Sequence, residues 1–119
     1  MAYQLSDGEY KFMQIVWEFA PVPSPQLVGL CSERLGWKKS TTYTVLKRLC
    51  GKGIVRNENA TVSVLAGRED VTASAADAFV EKTFGGSLPS FLTAFMSGKK
   101  LTETEAESLK RLIDAHQEE

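Results

Sequence analysis

Helix-breaking residues cut the first half of this chain into short pieces. Pro21, Pro23 and Pro25 interrupt it once, Gly36 again, and the run Gly51-Lys52-Gly53 a third time. Proline lacks a backbone donor and clashes inside a helix, while glycine is favoured just past a helix end. The stretch "LSDGEYKFMQIVWEFAP" opens on Ser6 with Glu9 three residues on, the spacing of a capping box. Tyr10, Met13, Val16 and Trp17, with Phe12 beside them, recur at helical spacing, so a helix is predicted from Asp7 to Phe19. Ser24 is expected to cap a second helix with Pro25 in its first position. Leu27, Leu30, Cys31 and Leu35 form its apolar stripe and Gly36 its stop. A third helix covers about Ser40 to Gly51, with Thr42, Val45, Leu46 and Leu49 facing in and Thr41, Thr44, Lys47 and Arg48 facing out. A strand then starts at Ile54, Asn57-Glu58-Asn59 reads as a turn, and Thr61 to Leu65 is rich in β-branched residues.

Three short helices followed by a small hairpin make a winged-helix pattern, mainly α with a small β wing. From about Glu69 the pattern is helical again. Val71, Ala75, Ala78, Phe79 and Phe84 suit a helix ending at Gly85-Gly86; Leu88, Phe91, Leu92 and Phe95 suit a shorter one ending at Gly98. Thr102 and Glu105 form a second capping box before a last helix carrying Leu109, Leu112 and Ile113. The expected division is a winged-helix domain over 1–67 and a helical domain over 68–119. Three helices of this size are a weak independent fold. Their large apolar side chains therefore point to burial against a second copy, and the interface candidates are Phe79, Phe84, Leu88, Phe91, Leu92, Phe95, Leu109, Leu112 and Ile113.

Composition narrows the chemistry. With 119 residues, 43% hydrophobic and 24% charged, the chain fits a globular protein with one main core. No apolar run approaches the roughly 20 residues of a membrane span. The opening "MAYQLSDGEYKF" lacks the pattern of a signal peptide, so a cytoplasmic location is expected. Cys31 and Cys50, with the lone His116, do not make a zinc site. They read as reduced, packed thiols. No phosphate-binding glycine loop, nucleophile elbow or metal-protease motif occurs, and the carboxylates sit in surface-type runs. The expectation is no enzyme, no cofactor and no metal.

Charge is unevenly placed. Residues 1–66 hold eight Lys/Arg against five Asp/Glu, whereas residues 67–119 hold six against ten. Within the first half, "WKKSTTYTVLKRLCGKGIVR" carries six basic residues and no acidic one. An α-helix fits the DNA major groove when short polar side chains near its start reach base edges and cations around it reach phosphates. Ser40, Thr41 and Thr44 are the candidates for base contact. Lys38, Lys39, Tyr43, Lys47, Arg48, Lys52 and Arg56 are the candidates for the sugar-phosphate backbone. A solvated charge run is the plainer reading. Against it stand the single sign of the charges, with no Glu at i±4, and the surrounding helix-helix-helix-hairpin order. The competing functional class is a winged-helix module whose basic face binds an acidic protein instead of DNA.

The two stretches "LSDGEYKFMQIVWE" and "STTYTVLKRLCGKGIVR", with "FGG" ahead of the last helices, resemble the penicillinase-repressor family of winged-helix transcriptional regulators. The resemblance spans nearly the whole chain. It implies a homodimeric repressor of antibiotic-resistance type whose helix 3, from Ser40 to Lys52, enters the major groove of a palindromic, double-stranded operator, with Phe79 to Ile113 supplying the dimer contact. It also implies, as a possible partner, a membrane-bound sensor protease acting at an Asn-Phe bond. The matching pair here is Ala94-Phe95. The copper-responsive relatives carry Cys-x-Cys pairs near the C-terminus, whereas this chain ends "DAHQEE". Family wings commonly carry Arg and Tyr, which "ENATVSVLAG" lacks.

Overall fold

A computed structural model describes residues 3–118. In chain order these form α1 (Asp7–Phe19), β1 (Val22–Pro23), α2 (Ser24–Leu35), α3 (Lys39–Gly51), β2 (Val55–Glu58), β3 (Thr61–Val64), α4 (Arg68–Phe84), α5 (Leu88–Met96) and α6 (Glu103–His116). The chain falls into two compact units, Met1–Phe79 and Val80–Glu119, so α4 contributes to both.

In the first unit α1 starts where its capping box predicts. The Ser6 Oγ accepts from the Glu9 N–H at 3.2 Å, and Glu9 Oε1 accepts from the Ser6 N–H at 2.8 Å. Two otherwise unsatisfied donors of the first turn are thereby paired. The start of α2 departs from expectation. Ser24 is itself helical and does not cap; Pro23 stands in the cap position with no side-chain bond. The reason is that Ser24 faces inward. It is buried, its N–H donates to the Ala60 carbonyl at 2.7 Å, and its Oγ accepts from the Tyr43 hydroxyl at 3.4 Å. At the other end Gly36 takes φ 68°, and the Gly36 and Trp37 N–H groups close on the Ser32 and Cys31 carbonyls. A left-handed residue at this point favours glycine because it has no Cβ.

One core joins the elements of this unit. Phe12, Met13, Ile15 and Val16 of α1 pack with Leu27 and Cys31 of α2 and with Val45, Leu46 and Leu49 of α3; Ile54, Val55, Val62, Ala66 and Val71 close it. Trp37 stacks parallel to Phe12 with ring centroids 6.1 Å apart. Trp17 is half-buried and donates its indole N–H to the Ala66 carbonyl at 3.2 Å. Each large side chain so buried contributes on the order of 1.5–3 kcal/mol before entropy is counted. The thiol of Cys31 is pushed up by burial, against a hydrogen bond with Thr42; burial likewise raises Cys50, against the Asn57 backbone. Both are free thiols held in the weakly reactive form.

The wing is a three-stranded antiparallel sheet in the order β1-β3-β2. Val22 pairs with Val62 on one side of β3, and Val55, Arg56, Asn57 and Glu58 pair with Val64, Ser63, Val62 and Thr61 on the other. Two expectations are corrected. Asn57 and Glu58 belong to a strand; their polarity reflects exposure on the edge strand β2, not a turn. The turn is Asn59-Ala60, with φ 52° and 58°, the two-residue hairpin type that needs positive φ at both centres. The proline-rich connection also yields β1, where Pro23 sits on an edge strand and its missing N–H costs little.

The second unit is built differently. Ser87 Oγ caps α5 by accepting from the Ser90 N–H, and the capping box of α6 forms between Thr102 and Glu105. Phe91 meets Phe84 edge-on at 5.6 Å and Phe95 at 5.7 Å. Phe91, an interface candidate, therefore already has aromatic partners within the unit. No residue of α5 or α6 is buried, and Leu88, Phe95, Leu112 and Ile113 are between 55% and 58% exposed.

Candidate nucleic-acid interface

The face expected from the charge pattern forms on α3. Thr42, Val45, Leu46 and Leu49 are buried, which turns Ser40, Thr41, Thr44, Lys47 and Arg48 outward, all of them exposed. Lys38 occupies the N-cap without capping through its side chain, so Lys38 and Lys39 flank a helix start whose first N–H groups no side chain satisfies. That end carries a partial positive charge. Three cations of this face, Lys38, Lys39 and Lys47, make no ion pair among the described residues. Cations thus flank three hydroxyls on the exposed face of α3.

The hydroxyls are not equivalent. Thr44 Oγ1 donates to the Ser40 carbonyl at 2.9 Å, and Thr42 Oγ1 is 3.3 Å from the Lys38 carbonyl. With its hydrogen committed to its own helix, Thr44 can offer only lone pairs and a methyl group outward. Tyr43 is half-buried against the core and its hydroxyl donates to Ser24. It therefore ties α3 to the start of α2, one bond away from the wing turn that Ser24 also holds.

Three of the six expected cations have partners. Arg48 Nε lies 3.3 Å from Glu9 Oε2, and Lys52 Nζ lies 2.9 Å from Glu9 Oε1 and 2.8 Å from the Gln4 carbonyl. Arg56 meets Glu58 across the face of β2 at 3.5 Å. The single sign of the charges in the α3 segment thus gave an incomplete picture, because Glu9 reaches it from α1. Glu9 is a residue the sequence marks only as a cap partner, and it is 3% exposed. Burial alone would raise its carboxyl; the Ser6 N–H, and the hydrogen bond and charge of Lys52, outweigh that and hold it below its ordinary value. No local spacing could have revealed the contact, since 39 positions separate Glu9 from Arg48.

The interface candidates of the second half divide as well. Phe79, Leu88, Phe95, Leu112 and Ile113 are exposed, whereas Phe84, Phe91, Leu92 and Leu109 are half-buried. Lys99 covers one face of Phe95, its ammonium 3.9 Å from the ring centre. Ala94 and Phe95 lie inside α5. Among the described residues no helix is long and apolar enough to cross a membrane.

The chain is 28% identical over 120 residues to an uncharacterised 16.5 kDa protein of Latilactobacillus sakei, covering 94% of this chain and 80% of that one. It is 23% identical to the penicillinase repressor of Bacillus licheniformis, covering 95% and 91%. It is 22% identical to the methicillin resistance regulatory protein MecI of Staphylococcus aureus, covering 94% of each. In fold it is similar to the crystal structure of a multiple antibiotic-resistance repressor from Listeria monocytogenes, with TM-score 0.53 and 22% identity over 93% of this chain and 72% of that one. The model of the penicillinase repressor family matches residues 5–115. The chain with the winged-helix order, the outward Ser/Thr face of α3 and the trailing helices therefore belongs to the penicillinase repressor family, a family of transcriptional regulators.

Proposed function

We propose that this protein is a DNA-binding transcriptional repressor that acts as a homodimer and reads a palindromic operator with α3 in the major groove. The observation that carries the reading is the outward face of α3, where Ser40, Thr41 and Thr44 lie between the unpaired Lys38, Lys39 and Lys47. Ser40 and Thr41 read base edges as donors or acceptors. Thr44, its hydrogen engaged by Ser40, reads as an acceptor and suits the amino group of adenine or cytosine. Its methyl suits a thymine methyl. The three lysines grip phosphates and set the register.

The second copy follows from the exposed apolar groups of α5 and α6. Leu88, Phe95, Leu112 and Ile113 meet the same residues of a partner chain and lose their water on association. A tethered pair of winged helices binds two half-sites with an effective-concentration gain that one cannot have. A sensor protease that cut at Ala94-Phe95 would first have to unwind the last turn of α5.

A mobility-shift titration on the DNA upstream of the protein's own gene, repeated over a range of salt, tests the reading. Three phosphate contacts per subunit give a log–log slope near about −5 for a dimer. One observation favours a second reading, in which the face binds an acidic protein: Arg56 is paired to Glu58, leaving the wing hairpin without an unpaired cation. Absence of any salt-dependent shift, on operator and random duplex alike, would select that reading.

A further inference from the structure

Glu9 stands behind the DNA-facing helix, and its position suggests a role beyond capping α1. Its two oxygens are fully engaged: Oε1 accepts from the Ser6 N–H and from Lys52, and Oε2 accepts from Arg48. Lys52 also donates to the Gln4 carbonyl, so its ammonium has two acceptors from the chain ahead of α3. The carboxylate is buried, while Arg48 and Lys52 remain 53% and 41% exposed. A buried charge is tolerated only while its partners stay, and removing one leaves it uncompensated. For either cation to leave Glu9 for a phosphate, it must abandon a desolvated carboxylate to gain a screened, hydrated contact.

We propose that Glu9 is a positioning residue that holds Arg48 and Lys52 within the fold and so limits the sequence-independent grip of α3 on nucleic acid. This inference rests on the DNA-binding reading above. Phosphate contacts add affinity for every sequence alike and carry no base information. Two further free cations per subunit would raise binding to random duplex as well as to the operator. By tying them back, Glu9 leaves the grip to Lys38, Lys39 and Lys47, beside the hydroxyls that read bases. The same contacts fix the C-terminal end of α3 to the N-terminal end of α1, so the charge limit and the orientation of the helix come from one side chain.

The experiment compares the full-length chain with Glu9→Gln, Arg48→Ala, Lys52→Ala and the triple combination, measuring affinity for operator and for random duplex across salt. Gln keeps an oxygen for the Ser6 N–H, so the cap of α1 survives. In the Glu9→Gln protein the slope should steepen by about 3 to 4 in a dimer, from two freed cations per subunit. Its affinity for operator and for random duplex should rise by the same factor, and adding both alanines should restore the original slope. In the otherwise unaltered protein, Arg48→Ala and Lys52→Ala should leave the slope as it is while lowering the melting temperature. If Glu9→Gln does not fold, these two single variants still decide. A slope flattened by Arg48→Ala alone would overturn the inference, because the guanidinium would then reach phosphate while tied to Glu9. An unchanged slope in a folded Glu9→Gln protein would overturn it too, with the DNA-binding reading intact. Loss of all salt-dependent binding in the unaltered protein would remove that reading itself, and this inference with it.

Discussion

The two units of this chain solve the problem of apolar surface in opposite ways. The first closes a core from every one of its elements, with Phe12, Met13, Leu27, Leu49, Ile54 and Val62 fully buried. The second, Val80–Glu119, has well-capped helices and a row of touching phenylalanines, yet α5 and α6 bury no residue. Capping and aromatic contact each contribute about 1 kcal/mol, which does not replace a buried interior. The lesson is that secondary structure can be specified locally without a buried interior; in the proposed homodimer a second copy of the same unit covers the exposed apolar groups.

Several perturbations should sharpen or break this contrast. The largest effect is expected inside the first unit: Leu49→Ala removes a fully buried side chain and should cost about 2–5 kcal/mol, whatever the protein concentration. Urea unfolding at two concentrations checks that independence. Leu112→Asp should act on the second unit through association instead. It should yield a monomer in sedimentation and weaken operator binding by about a hundredfold, a penalty set by lost tethering. A monomer of the unaltered chain that still binds operator tightly would break the comparison. Next comes Thr41→Ala, on the exposed face that the first unit's core supports. A loss of about 1–3 kcal/mol confined to operator would assign Thr41 to base readout, whereas equal losses on all DNA would assign it to the backbone.

Acid should separate the units more gently. The Glu9 carboxyl is held below its ordinary value in the folded state, so the native protein binds fewer protons than the unfolded chain in the window between the two. Its stabilising contribution is complete above the ordinary carboxylate range and is lost as pH falls through the lowered native value. Glu9→Gln should therefore give a flatter loss of first-unit stability on acidification, followed by circular dichroism. The smallest change concerns the wing turn. Ala60 holds φ 58°, a left-handed conformation costing about 1–2 kcal/mol for a residue with a Cβ. Ala60→Gly relieves it but loosens the unfolded chain by about 0.4–1 kcal/mol, leaving a net gain of up to about 1 kcal/mol in thermal unfolding.

Much of the first unit was legible because its signals are local. The Ser6–Glu9 capping box, the left-handed stop at Gly36 and the inward set Thr42, Val45, Leu46 and Leu49 all depend on spacings of three or four residues. The misreading at Ser24 comes from contact with distant segments, whereas that at Asn57 and Glu58 comes from polar residues on an exposed edge strand. Ser24 looks like a cap and is instead turned inward by Ala60 and Tyr43. Asn57 and Glu58 look like a turn but pair with Val62 and Thr61. The two-residue strand β1 exists only because β3 lies beside it. On the candidate interface, hydroxyls and lysines could be placed outward from periodicity alone. That Arg48 and Lys52 answer to a carboxylate on α1 could not.

The attachment of Glu9 also bears on how such a regulator could diverge. Loss of Arg48 or Lys52 removes one of the two cations that compensate the buried Glu9, so change at either position is constrained by a residue on α1. Ser40 and Thr41 carry no such obligation; their side chains are exposed and support nothing behind them. Thr44 is only lightly bound, through one bond to its own helix. If α3 reads the operator as proposed, new preferences should accumulate at its first two turns, while its last turn stays fixed. Duplicated copies could acquire different targets by exchanging a few small polar side chains on an unaltered frame.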